Sequence, residues 1–169
     1  MCKLLVIFGL LSMAAQAGPP LICHPYDIGT AQSLPWGTNG AAGWDNPDPS
    51  YDLHRLSTDT LALLNAQTPV LVRKETLRRA AIYGAKDQGA LTALLASLRQ
   101  RADEHSTAEA NASAIFDYGY LLATMKQLEW RYKRDLTGGV DGGAMVSKAV
   151  GMNHDPEMQN AIPLIAAWK

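Results

Sequence analysis

Cysteine is almost missing from this chain, with two among 169 residues, Cys2 and Cys23. That excludes a disulfide framework and a zinc site built on cysteines. Charged side chains make up only 18% of the residues and the net charge is −1. No basic patch stands out to hold a nucleic acid. No polybasic amphipathic helix argues for a membrane surface. The four histidines are scattered, with no His-Glu-x-x-His and no clustered His/Asp/Glu metal set. There is no Gly-x-Ser-x-Gly and no dinucleotide fingerprint either, so no known catalytic set presents itself.

Long apolar runs are missing too, save one. Leu4 to Ala15 is uncharged and apolar, Lys3 precedes it, and Ala15-Gln16-Ala17 is a small-x-small cleavage site. Residues 1–17 therefore read as a secretory signal, cut before Gly18. The run is too short to span a bilayer, which takes about 20 residues, so no stable membrane anchor is expected after cleavage. Cleavage leaves 152 of the 169 residues, with 14 basic and 16 acidic side chains. Cys2 departs with the signal and leaves Cys23 without an intrachain partner.

What is present falls into two parts. Residues 18–56 form an arm rich in proline and glycine, which excludes long regular elements. The arm also carries Leu21, Ile22, Tyr26, Ile28, Leu34, Trp36, Trp44 and Tyr51, too apolar a set for a solvated tail. An extended strap laid over helices, anchored by its aromatics, is expected, with a helical turn over Ala31–Leu34. Residues 57–169 carry helical periodicity throughout. A short helix follows Ser57. Thr68-Pro69 marks the start of the next, running to about Ala85, with Val70, Leu77, Ala80, Ala81 and Gly84 on its packed side. Asp87 caps a helix to about Glu104, striped by Leu91, Leu94, Leu95, Leu98 and Ala102.

The organising stretch is 108–132, one long helix apolar almost all round, which neighbours must cover. Its faces take in Phe116, Leu121, Leu122, Met125, Leu128 and Trp130. A narrow polar stripe remains: Ser113, Asp117, Thr124, Gln127 and Arg131. The Gly138–Gly143 segment ends this helix. Helical pattern resumes over Ala144–Met152 and after Asp155-Pro156, where Pro163 kinks or ends the last helix. The expected fold is all-α: antiparallel helix hairpins, as a solenoid-like stack or an irregular bundle, with an extended N-terminal arm.

Ala144–Val150 followed by Asn153-His154-Asp155-Pro156-Glu157 resembles the junction between tetratricopeptide units. The Trp, Leu-Gly, Tyr and Ala spacing of those units does not repeat along the chain. Cys23-His24-Pro25-Tyr26-Asp27-Ile28-Gly29 with Ser33-Leu34-Pro35-Trp36 resembles a family of exported bacterial helical proteins. That resemblance implies export and a helical build, and carries no activity.

Two sets of residues are candidates for chemistry. Cys23 and His24 offer a thiolate and an imidazole, ligands suited to a soft metal or to haem. The alternatives are a packed thiol with His24 capping a turn, or an interchain disulfide through Cys23. A cysteine at Pro20 would be needed for covalent haem attachment. Asp117, Tyr120, Thr124, Gln127 and Arg131 are candidates to line a groove; otherwise they are the solvent-facing edge of a buried helix. No catalytic residue and no cofactor is assigned. The leading expectation is an exported, non-enzymatic helical module that binds another protein, in the periplasm or outside the cell. The alternatives are a small-ligand, haem or metal binder at Cys23-His24, and a hydrolase with an unrecognised site.

Overall fold

The proline-rich start of the chain is less extended than its composition predicts. The computed structural model describes residues 18–37, 44–104 and 108–168. The expected leader, at 1–17, lies outside them. Pro20 opens a single helical turn, α1 (Pro20–Cys23); its fixed φ suits a first helical position, where no amide hydrogen is needed. The expected turn over Ala31–Leu34 is not helical. Gly29 instead takes φ +56° and the Ala31 N–H donates to Ile28 O. The arm then runs on to Trp36, which makes an isolated antiparallel bridge to Pro47.

A 3-10 turn (Leu53–Arg55) leads into α2 (Leu56–Leu63), then α3 (Val70–Gly84) and α4 (Gln88–Asp103). Thr68 does not cap α3. Its hydroxyl donates to Leu63 O at 2.7 Å and accepts the Asn65 N–H at 3.0 Å, closing the turn after α2. Asp87 does cap α4, accepting the Ala90 N–H at 2.8 Å. Next come α5 (Ala108–Tyr132) and α6 (Gly142–Asn153), the latter capped by Asp141 through the Ala144 N–H. Asp155 caps α7 (Pro156–Gln159), and α8 (Ala161–Ala166) ends the described chain's helices. Pro163 sits inside α8, and the break falls at Asn160, because a proline ring clashes with the carbonyl four residues earlier. The fold is all-α, with no strand among the described residues.

The core is wound around α5. Every residue from 114 to 125 is buried. The helix packs against α3, α4, α1 and, most extensively, α6. The α5–α6 crossing brings backbone onto backbone at Gly119 and Gly142. A Cβ on Gly142 would stand 2.5 Å from Ala123 N, and one on Gly119 would stand 2.7 Å from Met145 Cβ. Trp130, assigned by periodicity to a packed face, is 47% exposed, because α5 has outrun its cover by then.

Candidate functional site

Helix α3 sits where the arm, α5 and α7 meet, and it buries charge there. Arg73, Lys74, Glu75 and Arg78 are each no more than 2% exposed. Glu75 accepts Arg78 Nε and Arg79 Nε, both at 2.8 Å, and the Tyr26 N–H at 3.1 Å. Arg78 Nη1 donates to the carbonyls of Ile22 and Trp44, and Arg79 Nη1 to that of Leu34. The reason is physical. A proline-rich strap has no sheet or helix partner for its backbone, so its buried carbonyls need side-chain donors. Guanidinium forks on α3 supply them.

Burial pushes the Glu75 carboxyl up, but the hydrogen bonds and charges of Arg78 and Arg79, with the Tyr26 N–H, outweigh it and hold it below its usual value. Lys74 is pushed down by burial, against the pull of Glu157, whose carboxylate is 3.6 Å away on α7.

The polar stripe of α5 faces protein, not solvent. Asp117, Tyr120 and Thr124 are fully buried and Gln127 is 2% exposed. Gln127 Oε1 accepts the Leu21 N–H at 2.7 Å, and its Nε2 donates to Leu164 O at 3.3 Å. The Tyr120 hydroxyl lies 2.9 Å from that of Tyr26, and Thr124 Oγ1 donates back to Tyr120 O. Ser113 is half-buried, and Arg131 reaches the surface, where it pairs with Asp45 at 2.6 Å and lies over the Trp44 ring. Most of the stripe is therefore a fastening for the arm and for α3. Asp117 accepts Arg73 Nη1 at 2.6 Å, and Arg101 of α4 stands 3.9 Å from the same oxygen. Burial raises the Asp117 carboxyl to about 6, against the opposing pull of Arg73 and Arg101.

Cys23 ends α1 half-buried, and burial raises its thiol, which leaves less thiolate for a metal or a disulfide. His24 follows it, with a buried Nε2 that has no hydrogen-bond partner in the structure. Among the described residues no group of three or more His, Cys, Asp or Glu side chains is placed to hold a metal ion.

Among the clefts of the described residues, two bear on function. One, of about 280 Å³, lies between α5, the glycine-rich link and α8. Ala123, Gly142, Gly143 and Ile165 form its walls, and Val140 and Trp168, 42% and 38% exposed, stand at its rim. Gly138 and Gly139 take φ of +62° and +75°, the left-handed turn that brings Val140 back over the cleft. The other, of about 480 Å³, lies between α2 and α4. Of the groove candidates on the polar stripe, Gln127 lines the first of these clefts and none lines the second. The cue available in the sequence was Val140 isolated among glycines, an apolar residue with no helix to bury it.

No protein-family model matches the chain, and neither the characterised proteins nor the solved structures contain one similar to it.

Proposed function

We propose that this is an exported, non-enzymatic helical module that binds another polypeptide, taking an apolar side chain of the partner into the cleft beneath Val140 and Trp168. The observation that carries the reading is the pairing of those two exposed apolar residues with an apolar-walled cleft. Exposed tryptophan over a pocket is the composition of an interface anchor. The occupant is a peptide with one large apolar residue, since the cleft holds little more.

Selection of random peptides on the full chain is expected to enrich sequences with a central Leu, Phe or Trp. Gly143→Leu fills the cleft toward Ile165, whose Cγ2 would lie 3.1 Å from the new Cβ. That variant should lose binding by tenfold or more while keeping its helical circular dichroism. Enrichment of peptides without an apolar anchor, or unchanged binding by a folded Gly143→Leu protein, would overturn the proposal. Export is tested separately: the amino terminus of protein recovered from outside the cytoplasm should begin at Gly18.

A further inference from the structure

Two of the donors that line the cleft between α2 and α4, Asn65 Nδ2 and the Arg101 guanidinium, have no acceptor among the described residues. Leu61 and Leu64 make its apolar side, and Asn65, Ser97, Gln100 and Arg101 its polar side. The Ser97 hydroxyl is taken up by Ala93 O and by Ser57. Asn65 uses its Oδ1 to accept the Gln67 N–H, which leaves the amide nitrogen unbonded among the described residues. Arg101 donates no hydrogen bond to any described residue; the Asp117 Oδ2 it faces stands 3.9 Å away. Glu104, at the rim, is held by Gln100 Nε2 at 2.7 Å.

Behind Arg101 the described charges do not balance. Among the described residues Arg73 and Arg101 face a single carboxylate, Asp117, and Arg73 is spent on Asp117 and on Asn65 O. Asp117 Oδ1 and Arg73 Nε are both buried with no hydrogen-bond partner among the described residues. A packed interior tolerates a guanidinium when its charge is matched and its hydrogen bonds are made. Among the described residues of this cluster one positive charge is left over, and the group that carries it opens onto the cleft.

We propose that this cleft binds a small carboxylic acid with a short apolar body: the carboxylate bidentate on Arg101, the hydrocarbon along the half-buried Leu61. A planar fork suits a planar carboxylate. The ligand's charge neutralises the excess of the Arg73–Asp117–Arg101 cluster.

Isothermal titration of the full chain with hexanoate, hexanamide and inorganic phosphate tests this. Hexanoate is expected to bind saturably, with hexanamide and phosphate at least tenfold weaker. Arg101→Gln should abolish the preference for hexanoate over hexanamide, whereas Arg99→Gln, exposed on the same helix, should leave it unchanged. Gln100→Glu, an exposed change that sets a competing carboxylate at the mouth, should weaken hexanoate at least tenfold without disturbing the fold. Equal binding of acid and amide, tighter binding of phosphate than of hexanoate, or full hexanoate affinity in Gln100→Glu would overturn the assignment.

Discussion

Glu75 and Asp117 are both sealed in the core and both face arginine, yet they move in opposite directions. Glu75 collects Arg78 Nε and Nη2, Arg79 Nε and a backbone N–H. Asp117 has one bond from Arg73 and a bare Oδ1. Desolvation is outweighed at the first and prevails at the second. The consequences for stability are opposite in sign. Glu75 titrates below its unfolded value, so its contribution is present at neutral pH and is lost as pH falls below the normal glutamate range. Asp117 titrates at about 6 when folded, above its ordinary 3.8. Between those values the folded state holds the extra proton, so its contribution is present below pH 4 and lost as pH rises through 6. Urea unfolding of the wild type and Asp117→Asn at pH 4 and pH 7 should show this. The wild type should lose about 2 kcal/mol relative to the asparagine variant on going from pH 4 to pH 7. A gap that does not change with pH would mean that the Arg73 bond dominates. Little of this was legible in the sequence. The i, i+4 spacing of Glu75 and Arg79 announces their pair, but not that the arm's carbonyls draw Arg78 inward, Asp117 draws Arg73 and Glu157 draws Lys74.

At the scale of elements the sequence says more. The central helix at 108–132 and the Asp87 and Asp155 caps are where apolar period and turn chemistry place them. These signals are local, and local signals survive folding. The start of α6 shows the limit. A run of glycines reads as a helix breaker, yet α6 begins at Gly142 itself. The pair of glycines is there because α5 and α6 touch backbone to backbone, a contact that the sequence of one helix cannot announce. Gly142→Ala therefore should destabilise the protein despite alanine's better helix propensity. The new Cβ meets Ala123 N at 2.5 Å, main chain that cannot swing aside as a side chain would. Overpacking of this kind costs about 1–3 kcal/mol, and a backbone clash belongs at the upper end. Gly151→Ala, in the same helix with nothing within 4 Å, should instead leave stability unchanged or raise it. Urea midpoints that move the same way for both variants would show that propensity, not the crossing, governs α6.

For the whole molecule the question is whether the arm is a separate layer or part of one cooperative unit. Its composition argues for a loose strap, its contacts for the opposite. Leu21, Ile22 and Leu34 are almost fully buried. The Leu21 N–H ends on Gln127 of α5, and the Tyr26 N–H on Glu75 of α3. Releasing the arm would break its hydrogen bonds to Glu75, Arg78 and Gln127 and expose Leu21, Ile22 and Leu34. Each such bond is worth about 0.5–1.5 kcal/mol and each buried side chain about 1.5–3 kcal/mol, so opening the arm alone approaches the cost of opening the whole domain. Native-state hydrogen exchange should then find the Leu21 and Tyr26 amides opening with the same free energy as Leu121 and Leu122 in the middle of α5. The Gly29 amide, held only by Asp27 two residues away at an exposed turn, should exchange far sooner. If the Leu21 and Tyr26 amides instead exchange through a low-energy opening that leaves α5 protected, the arm is a detachable cover. The buried ion pairs of α3 would then be lining a groove that empties.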